Sequence, residues 1–169
     1  KTEKGEPEKK PLEKPGLALQ TSLKHPALVT DLAFSSDKKS LWTVMSSGAL
    51  TQWDWAKSEV KQTIPGEFRT QFALTPDNRF ALHYPNNYGL PLQWVRLTGP
   101  NPGIAWKGPE VTCAALSRDG KRVVAFGGGQ LLVYDIDADG KLKARPPIAT
   151  KFKRPVRAIA IHPTDPNRV

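Results

Sequence analysis

The sequence contains a single cysteine, Cys113, among its 169 residues. One thiol excludes an intrachain disulfide framework, and it excludes a zinc site built from two or more thiolates of one chain. The sequence also lacks any apolar run that approaches the roughly 20 residues of a membrane-spanning helix. We therefore expect a soluble segment with a modest hydrophobic core, and the composition does not indicate a cellular compartment.

Sustained helical periodicity is absent as well. From residue 16 onward, short alternating runs rich in Val, Leu, Phe, Trp and Thr are separated by polar clusters that are typical of turns. This pattern predicts an all-β chain. The turn clusters are Ser35-Ser36-Asp37, Thr75-Pro76-Asp77-Asn78 and Ser117-Arg118-Asp119-Gly120.

The charge is distributed unevenly. The formal net charge is +9, and residues 141–169, with eight Lys or Arg against one Asp, contribute +7 of it. Residues 1–15 hold five Lys, four Glu and three Pro and almost nothing apolar, so we expect a disordered linker there. Because the first residue is Lys1 rather than Met, we expect the sequence to be a piece of a longer chain.

Four segments repeat one short pattern, in which an alanine immediately precedes a large apolar residue. The large residues are separated by 40, 42 and 45 positions. Successive side chains of a strand point to opposite faces, so each copy places Ala on one face of a sheet and a bulky side chain on the other. This predicts sheets that are packed on both faces. The four pairs are Ala33-Phe34, Ala73-Leu74, Ala115-Leu116 and Ala160-Ile161.

A second series, Trp53, Trp94 and Tyr134, keeps nearly the same period, with separations of 41 and 40. Over about residues 17–169 the two series resemble the WD-repeat β-propeller family, whose units end a strand in a Phe-Ser-Pro-Asp-Gly-like turn and close a later strand on Trp-Asp. Trp53-Asp54 matches that dipeptide, Tyr134-Asp135 matches it conservatively, and Trp94 matches only in its aromatic ring. His25 lies where the family has its Gly-His pair.

The resemblance implies an all-β propeller of WD-repeat-like four-stranded blades. We expect units at about 25–64, 65–106 and 107–150, the start of a further unit at 151–169, and flanking strands. About three blades make an incomplete ring, because propellers close with four to eight. The family's Ser/Thr–His–Asp–Trp hydrogen-bond network should be incomplete, since Ser47 and Gly128 stand where its turn Asp is expected.

For function, the resemblance implies a noncatalytic protein-interaction scaffold or a regulatory propeller, binding other proteins or another domain of the same chain, without a cofactor. One alternative is a ligand-binding or enzymatic propeller of the lactonase-like or quinoprotein-like kind, which requires carboxylates and histidines converging at a central channel. Another is weak nucleic-acid binding through the basic stretch 141–157. Oligomerisation that closes the ring is a third.

Two sets of residues are candidate sites. Lys151, Lys153, Arg154 and Arg157, interleaved with Phe152, form the densest basic stretch, and an anionic partner competes there with the simpler interpretation of a solvated loop. Asp135, Asp137 and Asp139 match the start of a calcium loop, but Pro146 replaces the bidentate Glu at position twelve. For these aspartates we favour a tight hairpin turn at Asp139-Gly140.

Overall fold

The computed structural model describes residues 22–67, 71–84, 90–152 and 156–165; the predicted linker at 1–15 lies outside them. The described residues form thirteen β-strands and no helix, and hence none able to cross a membrane. The strands pair antiparallel into three separate sheets, called blades 1, 2 and 3 here, in an open arrangement. The predicted all-β architecture of about three four-stranded blades is therefore confirmed.

In blades 1 and 2 the strands lie side by side in their order along the chain. Blade 1 comprises β1 (Val29–Phe34), β2 (Leu41–Met45), β3 (Leu50–Asp54) and β4 (Glu59–Ile64). Blade 2 comprises β5 (Gln71–Leu74), β6 (Phe80–Tyr84), β7 (Leu90–Arg96) and β8 (Gly103–Val111). Since β8 continues to residue 111, blade 2 extends past residue 106, where the sequence placed the end of the second unit.

Blade 3 has an outer strand that two prolines interrupt. Its inner strands are β9 (Cys113–Leu116), β10 (Arg122–Gly127) and β11 (Gln130–Ile136). Both β12 (Leu142–Ala144) and β13 (Ile148–Ala149) pair with β11. Pro146 and Pro147 lie between them and lack the N–H that a ladder requires. The two short strands are therefore the halves of one interrupted fourth strand.

The hydrophobic core lies between the blades. We call the side of a blade that meets the preceding blade its leading face, and the opposite side its trailing face. Ala33 packs into the core between blades 1 and 2 from the trailing face of blade 1, and Leu74 packs into it from the leading face of blade 2. The prediction that Ala and the large residue serve opposite faces is confirmed. The buried members of this first core are Trp42, Val44, Leu50 and Ile64 of blade 1 and Phe72, Ala81, Val95 and Leu97 of blade 2.

The turn between the first two strands has the same structure in all three blades. A Ser or Thr hydroxyl donates to the carboxylate two residues later, at 2.6 Å in every copy. That carboxylate also accepts a backbone N–H two residues further on, at 3.0 Å in every copy. The residue in between has a left-handed φ of 59°, 57° or 70°. The three predicted turn clusters are thus confirmed, and their hydroxyl–carboxylate pairs are Ser35/Asp37, Thr75/Asp77 and Ser117/Asp119.

The aromatic series of the third strands shifts by one residue in blade 2. Trp53 lies opposite Leu41, and Tyr134 lies opposite Val123. Each of these partners is seven positions after the large residue of the blade's first strand. In blade 2 that residue is Ala81, and its partner in β7 is Val95. The sequence-based match of Trp94 with the other two aromatics is therefore wrong, because side chains one residue apart in a strand face opposite sides.

Trp94 instead fills the second core, between blades 2 and 3. Its indole Nε1 donates to the carbonyl oxygen of Gly140 at 2.8 Å. Its ring stacks on Phe80, with ring centroids 5.2 Å apart and planes inclined by 10°. This tryptophan joins the body of blade 2 to the turn between β11 and β12.

Residues 156–165 follow blade 3 without forming a strand. The carbonyl oxygen of Val156 accepts the Thr112 hydroxyl at 2.8 Å and the Cys113 thiol at 3.4 Å, which holds this segment beside β9. Further on, Nδ1 of His162 accepts the backbone N–H of Asp165 at 3.2 Å. In each blade the first strand pairs with the strand that follows it, and no such strand follows within the described residues. The start of a further unit in 151–169 therefore stays a prediction.

Candidate functional site

Two of the four predicted binding residues, Lys151 and Arg157, are described, and both are exposed at one end of blade 3. Lys153 and Arg154 lie outside the described residues. Phe152, which lies between Lys151 and Arg157 in sequence, is 61% exposed. Its ring centroid lies 6.1 Å from that of Phe126. We call Lys151, Phe152 and Arg157 the basic end of blade 3.

Hydrogen bonds fix the basic end to the rest of blade 3. The Thr150 hydroxyl donates to the carbonyl oxygen of Gly129, in the turn between β10 and β11, at 2.8 Å. The backbone N–H of Thr112 donates to the carbonyl oxygen of Phe126 at 2.8 Å, and the same threonine holds Val156 through its hydroxyl. The residues immediately before Lys151 and Arg157 are thus both anchored at the same end of the sheet.

The upstream basic residues lie at the other end of blade 3. Lys141 and Lys143 are exposed beside the end of β11, where Lys143 pairs in register with Asp135. The seven residues of β11 separate the two ends by about 20 Å. The described cations of the stretch 141–157 therefore lie in two separate groups, and of these the second carries an exposed aromatic ring, Phe152.

Two carboxylates of the calcium-loop pattern, those of Asp135 and Asp137, are engaged by other groups. Asp135 accepts Nε of Arg145 at 2.6 Å and Nε of Arg122 at 3.2 Å, and these contacts, that of Arg145 foremost, lower the pKa of its carboxyl. Asp137 accepts the backbone N–H groups of Asp139 and Lys141 at 3.0 and 2.8 Å. This is the predicted hairpin turn at Asp139-Gly140. Among the described residues, no three His, Cys, Asp or Glu side chains converge as a metal would require.

In blade 1, His25 contacts Trp53, the residue that carries the family resemblance. Their ring centroids lie 4.5 Å apart, edge to face, and Nε1 of Trp53 donates to the Thr43 hydroxyl at 3.0 Å. Nδ1 of His25 has no hydrogen-bond partner within the described ranges, and Ser47 is exposed. The expected incompleteness of the family's network is confirmed for this blade, where packing of His25 on Trp53 substitutes for a hydrogen bond.

His83 is buried in β6, and burial lowers its pKa to about 4. In blade 1 the same register position is taken by Thr43. The imidazole is therefore neutral at physiological pH and belongs to the interior of the propeller segment.

A pocket of about 300 Å³ opens between blades 2 and 3 at the end where the first turns lie. Asp119 and Asp137 line it, and each is hydrogen-bonded within its own turn. The Ser117 hydroxyl bond lowers the pKa of Asp119, which keeps its carboxylate charged. The hydrogen bonds of these two aspartates thus stabilise turns.

The sequence did not single out the groups that hold the basic end. Thr112 and Phe126 lie at strand ends, and nothing in their local sequence marks them. The exposed Leu32 and Phe34 of blade 1 were also missed, although aligning the repeats position by position would have revealed that their counterparts are core residues.

Comparison with solved structures supports the architecture. The chain superposes on the β-propeller domain of Myceliophteria thermophila Cps50 (Swd1) with a TM-score of 0.57 and 14% identity, covering 72% of this chain and 41% of that one. For the RRP9 WD40 repeats the TM-score is 0.57 and the identity 11%, covering 75% and 40%. For Kuenenia stuttgartiensis hydrazine synthase the TM-score is 0.54 and the identity 19%, and the superposition covers 80% of this chain and 40% of that one. No protein-family model and no curated protein matches the sequence.

The blade topology, the repeated turns and these superpositions define the class of structure, a WD-repeat-type β-propeller fold. The described residues form an open three-blade segment of that fold, and the chain spans about two fifths of the length of the propeller chains it matches.

Proposed function

We propose that this chain is part of a noncatalytic protein-interaction platform, and that the basic end of blade 3 contacts an acidic surface of a partner protein or of another domain. The observation that carries the proposal is an exposed phenylalanine, Phe152, which lies in sequence between the exposed Lys151 and Arg157, each preceded by a residue that is hydrogen-bonded to the sheet. WD40 propellers among the similar structures support the platform role at the level of fold.

The geometry favours a protein partner. Lys151 and Arg157 contribute charge, and Phe152 contributes apolar area that is desolvated on contact. Because Thr150 and Val156 are already hydrogen-bonded to the sheet, the backbone at these two residues needs no further ordering on binding. Binding of single-stranded nucleic acid generally uses several stacking aromatics along a basic groove, and the described part of this end offers one.

The test is a charge reversal with a matched control. In the full-length protein, Lys151→Glu with Arg157→Glu changes the basic end, whereas Lys141→Glu with Lys143→Glu makes the same charge change at the opposite end of β11. We expect quantitative cross-linking in the native cells to show partner recovery reduced by about tenfold or more for the first pair, and by no more than about twofold for the second.

The same experiment separates the alternatives. Equal losses for both pairs indicate a response to overall charge and contradict the proposal. Loss of the recovered partners after nuclease treatment indicates nucleic acid and also contradicts it. Far-UV circular dichroism of both variants confirms that the blades remain folded.

A further inference from the structure

One position of the repeat changes the sign of its charge in blade 2. The third strands of blades 1 and 3 carry Asp54 and Asp135 there, and the strand register places Arg96 at the same position in blade 2. Each aspartate is paired with a cation of its own blade, Asp54 with Lys61 at 3.6 Å and Asp135 with two arginines at 2.6 and 3.2 Å. Within the part of the chain that the structure describes, no carboxylate forms an ion pair with Arg96. Blade 2 therefore has an unneutralised cation where the other blades have a neutralised anion.

The Arg96 guanidinium is held beside an aromatic ring. Its Cζ atom lies 5.9 Å from the ring centroid of Phe80, which is buried and stacks on Trp94. In blade 3 the cross-strand partner of Asp135 is Arg122, whereas in blade 2 the cross-strand partner of Arg96 is Phe80. An aromatic ring thus replaces the counter-charge. Contact with the ring face orients a guanidinium and leaves its N–H donors available to a ligand.

Arg96 lines a pocket of about 200 Å³ between the loop after β7 and the turn between β11 and β12. The second arginine of this pocket, Arg79, is already engaged: its Nε donates to Asp77 at 2.6 Å and its Nη2 to the carbonyl oxygen of Ala138 at 3.1 Å. Thr98 adds an exposed hydroxyl on the side of blade 2. The pocket therefore combines one unpaired guanidinium with a neutralised one and a hydroxyl donor.

We propose that this pocket binds a carboxylate side chain, from Glu or Asp, of a partner protein, with the Arg96 guanidinium donating to it. A planar guanidinium can donate two parallel hydrogen bonds to one carboxylate, and the Thr98 hydroxyl is a further donor in the same pocket. The site lies at the end of the blades where the first turns lie, opposite the basic end of blade 3, and the inference is independent of the function proposed for that end.

Asp139 also lines the pocket and distinguishes between kinds of anion. Its carboxylate is exposed and forms no ion pair with either arginine in the described ranges, so it repels an incoming anion. The single unpaired guanidinium neutralises the one charge of a carboxylate. A phosphate group carries about two charges at neutral pH and would keep about one of them uncompensated beside Asp139. The charges of the pocket therefore favour a carboxylate over a phosphate.

The experiment follows the arginine Nε–Hε signals of the full-length polypeptide by NMR, with isotope-labelled arginine and at low ionic strength. The probe is the peptide acetyl-Gly-Glu-Gly-amide. The internal control is Arg118, which is exposed in the first turn of blade 3 and does not line the pocket. We expect a saturable shift of the Arg96 signal and no saturable shift of the Arg118 signal. The neutral peptide acetyl-Gly-Gln-Gly-amide should bind about tenfold or more weakly, because it lacks the charge that strengthens these hydrogen bonds.

Substitutions at exposed positions complete the test, and none of them is expected to unfold the blades. Arg96→Gln and Arg118→Gln identify the two signals by their disappearance. Asp139→Asn removes the repulsion and should lower the dissociation constant of the Glu peptide by about two- to fivefold. Glu59→Gln removes the same charge from blade 1 and should leave that constant unchanged. Equal responses of Arg96 and Arg118, tighter binding of acetyl-Gly-phosphoserine-Gly-amide than of the Glu peptide, or an unchanged affinity in Asp139→Asn each overturns the proposal.

Discussion

Replacing Gly140 by alanine should destabilise the protein through a steric conflict between blades. Gly140 has a φ of 78°, and a methyl group built on it overlaps the ring of Phe80. The ring has little freedom to move, because it stacks on Trp94, whose indole is itself bonded to the Gly140 carbonyl. Overpacking of this kind costs about 1–3 kcal/mol, and a left-handed backbone adds about 1 kcal/mol for alanine.

Gly128→Ala is a control that separates the two contributions. Gly128 also has a left-handed φ, 57°, but a methyl group there meets nothing within 4 Å. Both substitutions therefore share the backbone cost and the effect of alanine on the unfolded chain, and only Gly140→Ala adds the conflict with Phe80. The difference between the two variants should be about 1–3 kcal/mol of unfolding free energy.

Urea unfolding at pH 7, followed by far-UV circular dichroism, measures this difference from the transition midpoints. Intrinsic fluorescence, to which all five tryptophans contribute, should change in the Gly140 variant alone, since the hydrogen-bond acceptor of Trp94 moves. If the two variants lose equal stability to within about 0.5 kcal/mol, the contact between this turn and Phe80 does not constrain the packing of blades 2 and 3 and the reasoning is refuted.

Two further predictions concern the interior. The unfolded chain protonates His83 near pH 6.5, whereas the folded chain does so near pH 4, so His83 makes stability fall by up to about 3 kcal/mol as the pH drops through that window. Urea titrations at pH 7 and 5 should show a smaller loss for His83→Gln than for the wild type, and an unchanged loss contradicts the assignment. Thr43→Val removes the acceptor of the Trp53 indole and should lower the free energy of unfolding by about 1–3 kcal/mol. Thr43→Ser keeps a hydroxyl and should retain most of that stability. Equal effects of the two substitutions in thermal unfolding would show that the hydrogen bond is not responsible.

The parts of the fold that the sequence predicts are those with a strong local cause. The hydroxyl–carboxylate turns form within six residues, so their residue types appear directly in the sequence. The alternation of Ala and a large residue predicts that the two side chains lie on opposite faces of a sheet packed on both sides, because strand geometry alone sets it. The turns and the Ala/large pairs both recur about every 40 residues, and this recurrence supported the resemblance to a propeller.

The register of the third strand in blade 2 shows where the sequence is insufficient. Trp94 and Val95 are both apolar and both fully buried, so hydrophobicity does not distinguish the face toward blade 1 from the face toward blade 3. The pairing of β7 with β6 decides the choice, and a shift of one residue in that register moves every side chain of the strand to the other side. Matching aromatic residues therefore gave the wrong member of the pair.

The basic stretch shows a similar limit for the candidate site. Counting charges grouped residues 141–157 together, but β12 and β13 pair at opposite ends of β11 and so place the cations at two ends of the sheet. Whether neighbours in sequence are neighbours in space depends on the strand pairing, which the local composition does not encode. The grouping of Lys151 with Arg157 rests on hydrogen bonds from Thr150 and Thr112, each of which spans more than 20 residues.

The interrupted outer strand of blade 3 also bears on aggregation. An outer strand leaves N–H and C=O groups unpaired, and a long uninterrupted one is a template on which another chain can add a strand. Pro146 and Pro147 divide this edge into stretches of three and two paired residues, too short to hold a foreign strand in register. The two prolines remove two backbone donors from the sheet. The outer edge of blade 3 therefore resists the edge-to-edge addition of strands that leads to fibrils.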